Sequence, residues 1–125
     1  MGYSSVIIGG DWNMVENIQI DELGGNVMKG NEGLHQLNSL KQTFDLSDSF
    51  RLLNKKDKVY AWSCDATGIR TRLDRIYINK NIREKIKNVE HISCHLSDHW
   101  GVLLELVESP ELNFELGKGI WEIQY

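Results

Sequence analysis

The stretch Thr71-Arg72-Leu73-Asp74-Arg75-Ile76-Tyr77-Ile78 predicts a β-strand, because its side chains alternate between two faces from Leu73 onward. An aspartate between two nearby arginines, as at Asp74, is most often an ion-pair partner within a strand. The alternative is a carboxylate that takes part in a reaction, and the strand by itself does not decide between the two. One face carries Leu73, Arg75 and Tyr77, and the other carries Asp74, Ile76 and Ile78.

The sequence before this stretch predicts one strand and one helix. A short apolar run that ends in two glycines predicts a strand over Ser4–Gly9. Residues 14–30 contain several glycines and no clean period, which predicts a long loop excursion. Asn31 is the predicted N-cap of the helix that follows. The apolar stripe of that helix consists of Leu34, Leu37, Leu40 and Phe44.

The sequence beyond residue 45 predicts further strands and short helical segments. Trp100–Val107 is apolar on both faces, which predicts a strand with neighbours on both sides. Together the elements predict an α/β protein of the α+β type. The other predicted elements are a strand over Val59–Ser63, a hairpin loop over Cys64–Thr71, a short basic helix that includes Ile82 and Ile86, and a strand over Val89–Leu96.

Composition predicts one globular, intracellular domain. The chain has 125 residues, of which 41% are apolar and 26% are charged, and this balance argues against disorder. Its apolar runs are too short to cross a bilayer, and residues 1–10 lack the features of a secretory signal. The two cysteines, Cys64 and Cys94, have no metal-site spacing. They are predicted to be small packing residues in a reducing compartment.

Charge is unevenly distributed along the chain. The net charge of −4 divides into −5 over residues 1–50, +7 over residues 51–87 and −6 over residues 88–125. A basic segment between acidic flanks can bind a polyanion near a cluster of carboxylates. A solvated hairpin and a solvated helix would produce the same pattern, so charge leaves both interpretations open.

Three short stretches place acidic, amide and imidazole groups at predicted strand ends. Each has an ordinary structural explanation, since such residues usually form turns, ion pairs or caps. Their combination in one chain instead favours a functional site. The three stretches are Gly9-Gly10-Asp11-Trp12-Asn13, Thr71-Arg72-Leu73-Asp74-Arg75 and Ser97-Asp98-His99.

In this order the three stretches resemble the endonuclease/exonuclease/phosphatase superfamily, the metal-dependent phosphoesterases that include deoxyribonuclease-I-like enzymes. The finer pattern resembles the endonuclease domain of non-LTR (LINE-type) retrotransposon polyproteins. The resemblance implies the C-terminal half of a four-layer α/β/β/α sandwich. Further segments that carry it are Tyr60-Ala61-Trp62-Ser63, Asp45-Leu46-Ser47-Asp48-Ser49-Phe50-Arg51, Thr71–Ile78 and Gly117-Lys118-Gly119-Ile120-Trp121.

The resemblance implies hydrolysis of DNA phosphodiester bonds in the nucleus. The implied metal is Mg²⁺, with Mn²⁺ as the alternative. Asp11 would orient or deprotonate the attacking water, and Asn13, on the same side of an extended chain, would donate to a phosphoryl oxygen. His99 would contact a non-bridging oxygen, while Asp74 would hold its other ring nitrogen and raise its pKa. Asp98 would face the metal or its water shell. The hairpin residues expected to face DNA are Arg70, Thr71 and Arg72.

The sequence departs from the family in two ways. Ala61 stands where the family usually has threonine, and no residue matches by motif the asparagine and glutamate that position the metal. Residues 1–108 are therefore interpreted as the C-terminal half of the domain, and residues 109–125 as a linker toward an absent reverse-transcriptase region. The missing half of the domain is the implied partner besides DNA. No membrane and no other protein partner is implied.

Whether the chain is itself an enzyme stays open on the sequence. One alternative is a non-catalytic relic or a domesticated nucleic-acid-binding fragment, which the missing glutamate favours. Another is a small-molecule phosphatase of the same superfamily, against which the basic hairpin argues. The family interpretation predicts that the side chains of Asp11, Asn13, Asp74 and His99 converge. A truncated domain also predicts exposed apolar side chains on the first or the last strand.

Overall fold

A computed structural model describes residues 5–24 and 33–107, which form short helices and antiparallel strand pairs. This mixture confirms the α+β expectation. None of the four helices in the described part of the chain is long and apolar enough to cross a membrane. The helices are α1 (Ile18–Asp21), α2 (Leu34–Phe44), α3 (Ser49–Leu53) and α4 (Lys80–Arg83). The strands are β1 (Ile7–Asp11), β2 (Glu22–Leu23), β3 (Leu46–Asp48), β4 (Trp62–Cys64), β5 (Ile69–Thr71), β6 (Asp74–Asn79), β7 (Ile86–Ile92) and β8 (Gly101–Leu106).

The alternating stretch of the sequence forms β6, the centre of a three-stranded sheet in the order β1-β6-β3. Its Tyr77 is fully buried and forms a core cluster with Leu37 of α2 and Leu46 of β3. The helix covers this face of the sheet through the apolar stripe that its spacing predicts. The stripe residues that pack against the cluster are Leu34, Leu40 and Phe44.

A polar network ties the segment after β1 to the core. Arg75 lies on the same face as Tyr77, and its buried guanidinium donates from Nε to the Tyr77 hydroxyl at 2.8 Å and from Nη1 to the carbonyl of Met14 at 2.5 Å. The Tyr77 hydroxyl donates to Glu16 at 2.6 Å. Lys41 of α2 pairs with the other oxygen of Glu16 at 2.6 Å. Most of the buried polar atoms in this part of the core are thus hydrogen-bonded, although Nη2 of Arg75 has no partner among the described residues.

The β4–β5 hairpin has a tighter turn than predicted. Cys64 pairs with Ile69, so residues 65–68 alone form the turn. The predicted loop over Cys64–Thr71 is therefore wrong in its second half, which is strand β5. The strand predicted over Val59–Ser63 lies later in the chain than expected, because β4 begins at Trp62, three residues after Val59. The second sheet has the order β2-β5-β4.

The central position predicted for Trp100–Val107 is wrong within the described residues. There β8 pairs with β7 alone, which makes it an edge of a two-stranded sheet. The apolar residues on both faces of this strand had indicated that other elements would cover both faces of its sheet. Instead, Leu103 is 42% exposed and Ile92 of the neighbouring strand is 48% exposed. The exposed apolar side chains expected on the last strand are therefore present.

The helix predicted to include Ile82 and Ile86 ends before the second isoleucine. The backbone N–H of Lys85 donates to the carbonyl of Ile82 at 2.8 Å and closes the last turn. Ile86 then pairs with Leu106 as the first residue of β7. Strand bounds shift as well: β7 starts earlier than its predicted strand, and β1 lies later than the predicted Ser4–Gly9.

Four short elements were not predicted, because they contain too few residues to show a hydrophobic period. They are α1 and β2, which lie inside the predicted excursion over residues 14–30, and β3 and α3. Local caps start the two helices. Asn17 accepts through its side chain from the N–H of Gln19 at 3.0 Å, and Asp48 accepts from Phe50 at 3.2 Å.

Some expectations fall on residues outside the described ranges. They concern Asn31 as a helix N-cap and the linker over residues 109–125. The N-cap position of α2 is occupied by Gly33, whose φ of 83° lies in the left-handed region that favours glycine. The packing role predicted for both cysteines is wrong for Cys94, which is exposed, while Cys64 is half-buried.

His91 of β7 lies against buried positive charge. Its ring packs edge-on against Phe50, with the ring centroids 4.8 Å apart. Burial and then the charge of Arg72 lower the pKa of His91 to about 4. Its Nε2 is buried and has no hydrogen-bond partner among the described residues. The other charged groups that act on the ring are Asp48, Arg51 and Asp21.

We expect the protein to lose stability as the pH falls from about 6.5 toward about 4. Unfolded His91 takes up a proton near its ordinary pKa, whereas the folded protein resists protonation until about pH 4, so acid favours the unfolded state. Thermal unfolding across this window checks the expectation. His91→Phe should flatten the profile, and the exposed His95→Gln should follow the wild type. A His91→Phe profile as steep as that of the wild type would contradict the assignment.

Candidate active site

Two carboxylates meet at one end of the central sheet. Asp11, the last residue of β1, pairs in register with Asp74, the first residue of β6. Directly opposed residues of an antiparallel pair project to the same face, with Cβ atoms about 5 Å apart. The Asp11 side chain is 36% exposed and that of Asp74 is 19% exposed. The sheet therefore presents a pair of aspartates at the solvent boundary.

His99 reaches this pair from the connection between β7 and β8. Its Nδ1 lies 2.7 Å from Oδ2 of Asp74, and its Nε2 lies 3.8 Å from Oδ2 of Asp11. A backbone bridge to Trp62 holds the residue, and its N–H donates to Oγ of Ser97 at 3.1 Å. The structure thus brings Asp11, Asp74 and His99 together, as the resemblance implied.

The surrounding carboxylates favour a charged imidazole. The hydrogen bond with Asp74 is the main cause that raises the pKa of His99 above its ordinary value, and burial, the second-largest cause, opposes it. The negative charges of Asp74, Asp11 and Asp98 add to the rise. Because Nδ1 faces a carboxylate, it carries the proton and donates it to that hydrogen bond. The protonated ring then has a second N–H, at Nε2, for an anionic oxygen.

The carboxylates of this group could hold a cation, and His99 could join them only as the neutral imidazole. One ligand atom from each of Asp11, Asp74 and His99 lies within 4.8 Å of the other two, the one such group of three found in residues 5–24 and 33–107. Carboxylate oxygens suit Mg²⁺, which needs one or two of them and keeps several waters. Asp98, which the resemblance assigns to the metal, is not in this group. Its Oδ2 accepts a hydrogen bond from Nε1 of Trp62 at 3.1 Å.

Asn13 does not follow β1 as an extended residue. The strand ends at Asp11, and Asn13 has a left-handed φ of 54°, so the expectation based on an extended chain is wrong. The backbone N–H of Asn13 donates to Oδ1 of Asp11 at 2.9 Å. Between them, Trp12 is anchored through Nε1 to the carbonyl of Arg75 at 3.1 Å. This turn orients the Asp11 carboxylate.

Of the three hairpin residues expected to face DNA, only Arg70 is exposed. Thr71 is 5% exposed and Arg72 is 1% exposed, so the expectation is wrong for both. The chain turns inward after β5, where the backbone N–H of Arg72 donates to the carbonyl of Asp21 at 2.9 Å. Arg72 is therefore a structural residue of the interior.

Arg72 joins two aspartates whose role the sequence did not reveal. Its Nε donates to Oδ1 of Asp21 at 2.7 Å, and its Nη2 donates to Oδ2 of Asp48 at 2.5 Å. Arg51 makes a second bond to Asp21 at 2.5 Å. Burial alone would lower the pKa of Arg72, but its hydrogen bonds with Asp48 and Asp21 outweigh burial and raise it. The cluster anchors the β5–β6 connection, and Asp74 is the first residue of β6 after it.

Only part of this cluster had a signal in the sequence. Asp48 lies in the Asp45–Arg51 segment that carries the resemblance, so a role for it could have been sought there. Asp21 lies in the stretch without hydrophobic period, and no sequence pattern marks it.

No protein-family model matches this sequence. The functional conclusion therefore rests on the geometry of Asp11, Asp74 and His99 and on the motifs around them. All three positions are held by backbone pairing: Asp11 and Asp74 in the central sheet, and His99 in its bridge to Trp62.

Proposed function

We propose that this chain carries the phosphate-binding part of a magnesium-dependent site that nicks DNA by phosphodiester hydrolysis. The observation that carries the proposal is His99, held by Asp74 at 2.7 Å beside the second carboxylate of Asp11. Such a group offers a proton donor and a proton acceptor within reach of one substrate atom.

His99 acts in this proposal as the cationic donor. Its raised pKa favours the imidazolium form, and Asp74 fixes the ring so that Nε2 lies 3.8 Å from Oδ2 of Asp11. A non-bridging phosphoryl oxygen would accept the hydrogen bond from Nε2. The charge that develops on that oxygen during hydrolysis makes the bond stronger in the transition state.

Asp11 acts as the acceptor for the attacking water. Its Oδ1 is engaged by the N–H of Asn13, so Oδ2 is the oxygen that would orient or deprotonate the water. The exposed side-chain amide of Asn13 would donate to a phosphoryl oxygen. Both roles need solvent access, which the exposed end of β1 provides.

Magnesium would supply neutralisation of the charge that develops on the phosphoryl oxygens. Asp11 would hold it, and Asp98 would face its water shell through Oδ1, since Oδ2 accepts from Trp62. The exposed carboxylates suit a hard cation that retains water. Manganese accepts the same oxygen ligands.

DNA is the proposed substrate because of the charge of one segment of the chain. Residues 51–87 carry a net charge of +7, and although Arg51 and Arg72 of this segment pair with aspartates, Arg70 of the hairpin is exposed. A polyanion is the partner that such a segment favours. A nuclear location accompanies this proposal.

The finer fold in this proposal is the C-terminal half of a four-layer α/β/β/α sandwich, in an endonuclease domain similar to those of non-LTR retrotransposons. The remaining half of such a domain would pack against exposed apolar side chains at the β7–β8 edge. These are Ile92, Leu103 and Val107, which are 48%, 42% and 50% exposed.

Conversion of supercoiled plasmid to nicked circles in the presence of Mg²⁺ tests the function. We expect slow nicking by the wild type and a rate lower by about 100-fold or more for Asp74→Ala and His99→Ala, since His99 is the proposed donor and Asp74 holds its ring and favours its charged form. His95→Ala, which alters an exposed histidine of the same connection, should match the wild type.

The same preparation distinguishes the other functions. Hydrolysis of a phosphomonoester without plasmid nicking would favour a small-molecule phosphatase. Binding of DNA without hydrolysis of either substrate would favour a non-catalytic nucleic-acid-binding fragment. Nicking that survives both Asp74→Ala and His99→Ala would show that the group of Asp11, Asp74 and His99 is not the reacting site.

A further inference from the structure

A groove beside the candidate active site combines aromatic and cationic side chains. It has a volume of about 510 Å³ and runs along the β4–β5 hairpin to the start of β8. The proposed hydrolysis does not use it. The residues that line it are Lys58, Val59, Tyr60, Ser63, Arg70 and Trp100.

The cations of the groove have no ion-pair partner in the part of the chain that the structure describes. Arg70 and Lys58 are exposed, and neither forms an ion pair with a residue of the described ranges. Arg70 pairs in register with Ser63, so both side chains project from the same face of the hairpin. By contrast, Arg72 is bonded to two buried carboxylates. Two uncompensated cations in one groove favour an anionic occupant.

The aromatic side chains provide flat apolar surface within the same groove. Trp100 is 42% exposed, although its backbone N–H is fixed by a hydrogen bond to the carbonyl of Ala61 at 2.7 Å. Tyr60 is half-buried on the segment that leads into β4. A ring on a fixed backbone loses little conformational freedom when a planar ligand stacks on it.

The groove adjoins the catalytic cluster through Trp100. This residue follows His99 directly, and it also lines a second cavity of about 280 Å³ whose wall includes Asp74, Gly9 and Gly10. An occupant that contacts Trp100 therefore lies next to the Asp74–His99 pair.

We propose that this groove binds an unpaired stretch of nucleic acid, with bases stacked on Trp100 and Tyr60 and backbone phosphates on Arg70 and Lys58. The bases of a duplex stack on one another, so their faces are not available to the two aromatic rings. The groove accordingly selects single-stranded over paired DNA. Binding in the groove does not require the reaction. Only the position of the cleaved phosphate beside the groove rests on the proposed function.

Fluorescence anisotropy without metal tests the inference, with a labelled oligothymidylate and the same strand annealed to its complement as probes. We expect tighter binding of the single strand. Trp100→Ala should weaken it by about tenfold or more. Arg70→Gln should weaken it and reduce the slope of log affinity against log salt by about 0.7. Lys87→Gln, an exposed cation at the far end of the β7–β8 hairpin, should bind as the wild type does.

Trp100→Phe keeps an aromatic ring and guards against a folding artefact, and it should retain most of the affinity that Trp100→Ala loses. Equal affinity for single strand and duplex, or wild-type affinity of both Trp100→Ala and Arg70→Gln, would overturn the inference. Plasmid nicking measured in parallel separates the two proposals. Nicking without a preference for single strands would support the proposed function and contradict binding in the groove. A preference for single strands without nicking would support binding in the groove and contradict the proposed function.

Discussion

Replacement of Arg72 by alanine should lower the free energy of unfolding by about 3–5 kcal/mol. The arginine is 1% exposed in its side chain and bonds to Asp21 and Asp48, whose side chains are 2% and 6% exposed. Its loss would leave the buried carboxylate of Asp48 without its cation and that of Asp21 with Arg51 alone. Since small domains have a total stability of about 5–15 kcal/mol, the variant should unfold at a much lower urea concentration.

The exposed Arg70, two residues before Arg72, provides a matched control for this prediction. Arg70→Ala removes the same chemical group from the surface and should change the stability by less than about 0.5 kcal/mol. The double variant Arg72→Ala/Asp48→Ala should cost less than the sum of its single changes, because the two groups are bonded to each other. Equal urea midpoints for Arg72→Ala and Arg70→Ala would show that the cluster contributes little.

On the proposed function, the 125-residue chain should nick plasmid about a thousandfold or more slowly than a deoxyribonuclease-I-like enzyme with a complete metal site, assayed in parallel with Mg²⁺. The reason is weak binding of the metal. No glutamate of the described residues joins Asp11, Asp74 and His99, and Asp74 is already bonded to His99. A weakly held cation loses several kcal/mol of charge stabilisation, and each 1.4 kcal/mol or so is tenfold in rate.

The dependence on magnesium concentration checks this explanation. If weak metal binding limits the rate, nicking should rise with Mg²⁺ well beyond the concentration that saturates the complete enzyme. A rate within tenfold of the complete enzyme, abolished by Asp74→Ala or by His99→Ala, would instead show that this chain is a self-sufficient nuclease.

The sequence alone determined the elements whose patterns are long enough to repeat. The alternation over residues 73–78 predicted β6, and the four-residue stripe from Leu34 to Phe44 predicted α2. Both patterns follow from burial of one face against the same core. The shorter elements, α1, α3, β2 and β3, have no such repeat, and capping residues such as Asn17 and Asp48 also occur in ordinary turns.

The candidate site was anticipated through motifs, and its geometry was not. Nothing in the separate stretches sets the register that opposes Asp11 to Asp74, or the bridge to Trp62 that brings His99 to them. Asn13 shows the limit of local reasoning, because the strand ends two residues before it and its φ becomes positive.

Only the tertiary structure decided which of the hairpin arginines are available to a ligand. Arg70 and Arg72 carry the same charge and lie two residues apart. The sequence pattern predicted the same exposure to DNA for both. Arg72 turns inward because its partners Asp21 and Asp48 come from positions 51 and 24 residues away along the chain. Burial of a charge is tolerated only where opposite charges and hydrogen bonds meet it, and distant segments supply these only after the chain has folded.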